Sequence, residues 1–246
     1  MMSRRTLAVL LAAAVGIAST VSLGNWQLRR AQEKLQLQAA WDRAAQGEPV
    51  IVAGAAVAEV GRRLPVRVQL RGRLLFEHEL WLDNRQMDGQ AGLTLVTPLK
   101  LADGPIVLVN RGLAARDPRD RARLPEVARA AVEQVVDGLA VEQPARVLQL
   151  GANAPAGLQR PLVWQNLDYD AFERASGLSV ARWIVQQTGG SDDGLRRNWP
   201  RLAAGVDKHR GYALQWYSLA ALIAGLTLFF GARAWRRAGR PAPGTR

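Results

Sequence analysis

Two long uncharged runs, residues 6–28 and 211–232, bracket a chain that otherwise mixes polar and apolar positions. A run of about 20 apolar residues is long enough to cross a bilayer as a helix. Residues 26–45 contain neither Gly nor Pro and read as a polar, amphipathic stalk that continues the first helix. Gly47-Glu48-Pro49 breaks it. The period then changes. Val66, Val68 and Leu70 alternate with Arg67, Gln69 and Arg71, which is the two-residue period of a strand. Further strands are expected over 80–85, 93–101, 106–113, 132–141, 162–166 and 182–187. Asp103-Gly104 marks a hairpin. A helix fits between the last two strands, with Asp168 as its cap and Gly177 as its stop. Strands first, then one helix, then a strand is an α+β order, without alternating β-α units. The pattern predicts two terminal transmembrane helices flanking one α+β, mainly antiparallel β, extramembrane domain. The boundaries expected are 6–28 for the first span, 29–210 for the domain, 211–232 for the second span and 233–246 for a basic tail, disordered over 239–246.

The first run admits two readings. Arg4 and Arg5, an apolar core and Gly16-Ile17-Ala18 fit a cleaved signal peptide. An uncleaved anchor fits better, because apolarity continues past that site to Trp26 and Leu28. Ala8, Ala12, Gly16, Thr20 and Gly24 recur at every fourth position, and small residues so spaced let membrane helices approach closely. Ala221 and Gly225 offer a matching pair in the second run.

Charge changes the picture once it is partitioned. The net charge is +12, from 33 basic and 21 acidic residues. Arg4, Arg5, Arg233, Arg236, Arg237, Arg240 and Arg246 lie in the acid-free ends, which leaves 26 basic against 21 acidic residues between the runs. That loop has no basic cluster interleaved with aromatics, so no nucleic-acid partner is expected. The arginine tails suit anionic lipid. By the positive-inside tendency both termini are expected in the cytoplasm of a bacterial cell, with the central domain periplasmic and the chain in the inner membrane.

With no cysteine, disulfides, thiolate metal sites and covalent c-type haem attachment are excluded. No nucleophile elbow, phosphate loop or zinc helix is present. Asp192-Asp193-Gly194 lacks the rest of a calcium loop. Glu77-His78-Glu79 reads as a solvated turn between strands. No acid–base set stands out, and the chain is not expected to be an enzyme.

The chemistry concentrates at the entry to the second run, Asp207-Lys208-His209-Arg210 followed by Gly211-Tyr212-Ala213-Leu214-Gln215-Trp216-Tyr217. At about 100° per residue, His209, Tyr212 and Trp216 share one side of a helix. Two readings stand: a polar belt at the membrane surface, or an imidazole beside flat rings that holds a planar, lipophilic metal cofactor.

Gly24-Asn25-Trp26-Gln27-Leu28-Arg29-Arg30 resembles the opening signature of the surfeit-locus-protein-one family, the Shy-type proteins and their bacterial counterparts. Lys34, Arg71-Gly72-Arg73, Asp83-Asn84-Arg85, Gly92 with Thr97-Pro98-Leu99, and Val107-Leu108-Val109-Asn110-Arg111-Gly112 follow in the family's order. Trp164, Asp168, Arg196 with Asn198-Trp199-Pro200, and His209 with Tyr212-Ala213 and Trp216-Tyr217 complete it. Residues 114–159 and 189–194 carry no matching signature.

The resemblance implies a factor in cytochrome c oxidase assembly that helps haem a reach the largest catalytic subunit, with the haem a synthesis enzyme as a further expected partner. It implies His209 as the haem-iron ligand. From position alone, Tyr212 and Trp216 would stack, Trp26 would close the pocket, and Arg29 or Arg210 would pair with propionates. Ala213, Ala220 and Ala224 leave room below His209 for a ring or for the first anchor. The alternative is a haem-independent scaffold that stabilises an oxidase subunit.

Overall fold

A computed structural model describes residues 4–117, 119–120, 123–128, 133–144, 146–147, 162–190, 193–200 and 205–238. The element order is α1 (Arg4–Gln46), β1 (Val50–Val52), α2 (Ala56–Arg62), β2 (Val66–Leu74), β3 (Leu80–Met87) and β4 (Gln90–Leu101). It continues with β5 (Ile106–Ala115), β6 (Glu133–Val141), β7 (Leu162–Trp164), α3 (Tyr169–Ser176), β8 (Ile184–Gln187) and α4 (Val206–Ala238). The chain forms two compact units: residues 39–201, and residues 1–38 with 202–246.

The first unit is built on a barrel. Its strands run β2-β6-β8-β5-β4, and a second pairing of β4 with β2 closes the ring. Most neighbours are antiparallel, and only β5 with β8 is parallel within the ring. β3 and then β7 extend the sheet beyond β4, and β1 lies parallel to β2. The sequence's expected α+β, mainly antiparallel β, domain is present, but the alternating pattern does not announce that the sheet closes.

Closure hangs on Gly72. It stands opposite Gln134 on β6 and also opposite Leu101 on β4, where the pairing of β2 with β4 begins while that with β6 continues to Arg73. A Cβ there would run into the carbonyl of Lys100. Only glycine lets the two backbones approach at this corner.

Alternation decides what fills the ring. Val68, Leu70, Leu99, Val107, Val109, Val136 and Val185 form a buried cluster with Trp183, whose Nε1 donates to the carbonyl of Val57 at 3.0 Å. The opposite side of the sheet carries a second cluster around Leu80, Leu82, Val96, Leu108 and Ile184, covered by α3 through the fully buried Phe172. Trp41 and Ala44, from the last turns of α1, pack on this cluster. α3 is held at both ends as expected. Asp168 accepts a hydrogen bond from the Ala171 amide at 2.9 Å, and Gly177 ends the helix at φ 72°. Tyr169 donates its hydroxyl to the carbonyl of Glu142 at 2.7 Å, and burial pushes its phenol above the ordinary range.

All seven expected strands appear near the expected places, with some ends extended or cut back. The hairpin at Asp103-Gly104 forms, with the Gly104 amide donating to Leu101. A second hairpin went unread. Asp88 and Gly89 both take positive φ, 51° and 75°, and join β3 to β4. Asp-Gly is the preferred pair for such a two-residue turn. β1 and α2 were also unforeseen, being too short to show a period.

The second unit consists of two helices. α1 is unbroken through the expected stalk and ends at Gln46, before Gly47. Both α1 and α4 are long and apolar enough to cross a membrane. The tail expected over 239–246 lies outside the described residues, while residues 233–238 continue α4.

Candidate functional site

The less exposed positions of the helix pair contain a regular alternation, flanked by half-buried Gly16, Val21, Leu35, Tyr217 and Ala224. On α1 they include Ala13, Ile17, Thr20, Gly24, Gln27, Ala31, Lys34 and Gln38, spaced by four and three residues in turn. On α4 they include Val206, His209, Ala213, Trp216, Ala220, Ile223 and Thr227, spaced by three and four. A mean spacing of 3.5 is that of a left-handed coiled-coil seam. The two helices run antiparallel, with Gly16 opposite Ile223, Gly24 opposite Tyr217, and Gln27 opposite His209.

This alternation corrects the stripe read at every fourth position. Ala8 and Ala12 are exposed, as are Ala221 and Gly225, so neither pair lies in the seam. A spacing of four drifts by about 40° per step around a helix of 3.6 residues per turn. Only Gly16, Thr20 and Gly24 coincide with the seam. Their role also differs from a close backbone approach. A Cβ on Gly24 would lie 2.7 Å from the ring of Tyr217, so the glycine is the slot into which that ring fits. The Tyr217 hydroxyl then donates to Asn25 Oδ1 at 2.7 Å. Thr20 is buried and returns its hydroxyl to the Gly16 carbonyl at 2.8 Å.

His209 occupies the seam near one end. Its Nδ1 lies 2.7 Å from Oε1 of Gln27. An amide oxygen only accepts, so Nδ1 must carry the proton. In the neutral ring the lone pair is then on Nε2. A neutral imidazole with one nitrogen tied to a carbonyl and the other bearing a lone pair is the state in which histidine binds a metal. The donor set thus fits a haem iron.

The other expected site residues are placed less uniformly. Trp216 shares the seam with His209. Tyr212 is 53% exposed and lies outside it. Trp26 is 51% exposed, one residue off the seam, beside Arg29, Arg30 and Glu33 on a shallow groove of α1. Arg30 pairs with Glu33 at 2.9 Å, and Arg210 lies 3.8 Å from Asp207. Ala213 and Ala220 are buried, so the room below His209 is taken up by the seam.

The barrel unit holds a second polar arrangement. Register slips between Leu95 and Val96, so that Arg111 on β5 is left without an opposite residue. A bulge of this kind re-aims a side chain. Arg111 points into a buried ion-pair chain, reaching Glu79 at 3.4 Å and Asp193 at 3.2 Å. Asp193 also pairs with Arg197 at 2.6 Å and accepts from the Leu195 amide at 3.1 Å. Glu79 takes a further bond from Thr97 at 2.9 Å. The guanidinium sits 5.9 Å from the ring centre of Phe76, which packs on the barrel core. Its partial signal in the sequence was an arginine close behind the apolar run Val107-Leu108-Val109, after Asn110. The turn expected at Glu77-His78-Glu79 is present as a 3-10 turn over Phe76–His78 with Glu77 exposed, but His78 and Glu79 are half-buried, and Glu79 turns inward to Arg111.

The Asp83-Asn84-Arg85 motif is structural too. Asn84 takes φ 57° where the β3–β4 register slips. Arg85 is buried and donates to the Gln165 carbonyl at 2.6 Å. Burial lowers its pKa to about 10, against the opposing pull of Asp83.

Comparison with known proteins now decides the kinship. The model of the SURF1 family matches residues 14–221. The chain belongs to the SURF1 family. A SURF1-like protein of Monosiga brevicollis is 27% identical over 245 residues, covering 91% of this chain and 88% of that one. A SURF1-like protein of Rickettsia felis is 28% identical over 207 residues, covering 81% and 86%. A third, from Dictyostelium discoideum, is 30% identical over 112 residues, or 42% and 41% of the two chains. The family match spans the barrel, most of α1 and the first half of α4, including both partners of the Gln27–His209 contact.

Proposed function

We propose that this SURF1-family chain is a non-catalytic assembly factor for cytochrome c oxidase. It holds haem a through His209 and delivers it to, or retains it in, the largest catalytic subunit. The barrel domain is periplasmic, both termini are cytoplasmic, and α1 and α4 cross the inner membrane. Haem a is cargo here. The role asks for ligation and release, not for acid–base chemistry.

The observation that carries this reading is the contact between Gln27, in the Gly24–Arg30 signature, and His209, in the second signature. It leaves the imidazole with a lone pair on Nε2, ready for iron. Trp216 supports the ring from the same seam. Tyr212, Trp26, Arg29 and Arg210 lie on outer surfaces, where stacking and propionate pairing would take place against a ring outside the seam.

Purification in detergent from cells that make haem a gives the test. The wild-type chain carries haem visible in its absorption spectrum, and His209→Ala loses it while the barrel stays protease-resistant. Full occupancy with an unchanged spectrum in His209→Ala overturns the ligand role. Alkaline phosphatase is active only outside the cytoplasm. Fused after Arg246 it is inactive, and an active fusion there overturns the topology.

One observation favours a haem-independent scaffold. The seam is filled by Tyr217 against Gly24 and by buried Ala213 and Ala220, so no ring fits between the helices. Normal oxidase assembly in a strain carrying His209→Ala would select that reading.

A further inference from the structure

We propose that Gln27 is a positioning residue: it fixes His209 as the Nδ1–H tautomer and so presents Nε2 to the haem iron. The inference rests on the haem-binding reading above, but its structural half can be read in the haem-free protein.

The argument starts from the helix pair. Gln27 and His209 occupy facing positions in two separate seam patterns, so neither side chain needs to leave its helix face to meet the other. The 2.7 Å contact is to the amide oxygen, which demands a donor on Nδ1. The neutral histidine side chain in water prefers the other tautomer, with its proton on Nε2, which leaves that nitrogen no lone pair for a metal. A fixed acceptor reverses that preference before iron arrives. The carbonyl or carboxylate behind a metal-binding histidine performs this function at metal centres generally, setting ring orientation as well as tautomer. The effect is strengthened beside apolar helix surface, where water competes weakly for the ring.

A second neutral pair holds the register that makes the contact possible. The Tyr217 ring fills the slot over Gly24, and its hydroxyl reaches Asn25, two residues before Gln27. Sliding either helix by one turn would separate Gln27 from His209.

The chain has only two histidines, so ring-nitrogen NMR of 15N-histidine-labelled full-length protein in detergent is simple to assign, using His209→Ala to identify the signals. The spectrum is taken at a pH where the ring is neutral. The wild type shows His209 as the Nδ1–H tautomer. Gln27→Leu shifts it toward Nε2–H, and Gln27→Glu, which keeps an oxygen at the same reach, retains Nδ1–H. In haem titrations Gln27→Leu weakens binding roughly 10- to 100-fold, and Gln27→Glu binds as the wild type does. A wild-type Nε2–H tautomer, or no change in Gln27→Leu, overturns the positioning role and leaves the haem reading standing. Tautomers as expected with no haem bound by the wild type overturn the haem reading, and with it the presentation of Nε2 to iron.

Discussion

In the barrel, the buried polar groups include charged ones among neutral Thr97, Asn110 and Gln186: Arg111 and Asp193 have side chains only 3% and 2% exposed, each with more than one ionic or hydrogen-bonded partner. In the helix pair they are neutral and joined in twos, Gln27 with His209 and Asn25 with Tyr217, with His209, Gln27 and Tyr217 only half-buried. The barrel has a deep apolar cluster around its ions, so each charge must be matched or the domain fails. The helices have a thin seam, so their polar pairs contribute little energy each but select one register and one tautomer. Polar groups in the barrel secure a shape, and those in the seam set a chemical state.

The largest effect follows from unbalancing the barrel's ions. Asp193→Ala leaves Arg111 and Arg197 facing each other without their shared carboxylate. Removing one partner of a buried pair costs about 3–5 kcal/mol. Guanidinium unfolding of the detergent-solubilised chain, followed by tryptophan fluorescence, should show that loss, and Asp193→Asn should recover part of it. A change below about 1 kcal/mol would mean that the network is no stronger than a surface pair.

Next comes the corner of the barrel. Gly72→Ala places a methyl group against the Lys100 carbonyl, and an overpacked site of this kind costs about 1–3 kcal/mol. The same measurement reads it. A smaller loss at Gly89→Ala, where nothing lies near the position and only the positive φ of 75° is strained, separates steric closure from turn strain.

Tyr169 gives a pH signature to the barrel alone. Its folded pKa is raised above the ordinary phenol value, chiefly by burial. The folded state therefore keeps the proton while the unfolded chain releases it near pH 10. The sign is fixed: the contribution is complete below pH 10 and is lost as pH rises above it. Barrel stability should fall with pH in that window, and Tyr169→Phe should flatten the slope. The same substitution removes the hydrogen bond to Glu142 and costs about 1 kcal/mol at neutral pH.

The sequence made these regions unequally legible. Period two gave β2, whose burial alternates, while β4, β5 and β8 are buried on both faces and were legible as apolar runs between turn signals. Ring closure was hidden, since it depends on a single glycine opposite two strands at once. The Arg111 network was hidden for a related reason. Its members are spread from position 79 to 197, and a bulge aims the arginine. In the helices, existence and length were plain, and His209 was singled out. The seam was misread as a spacing of four because alanine is frequent there, so small residues occur off the seam as well as on it. Gln27 was visible only as part of a signature. A polar residue at a seam position of an otherwise apolar run was the signal that would have found it.

The smallest effects belong to the seam, and they test whether its neutral pairs set register. Tyr217→Phe keeps the ring over Gly24 and removes only the bond to Asn25, a loss of about 0.6 kcal/mol by the average of such membrane hydrogen bonds. Gly24→Ala forces the ring itself to move, because the new methyl would sit 2.7 Å from it. The chain has no cysteine, so an engineered pair reports without background. Gly16→Cys with Ile223→Cys joins positions already in contact, 3.4 Å between an ideal Cβ and the Ile223 side chain. Disulfide formation in that pair should slow modestly with Tyr217→Phe and more with Gly24→Ala. Equal rates in all three backgrounds would show that register is set by the apolar seam alone, and that the Asn25–Tyr217 bond follows from the packing without directing it.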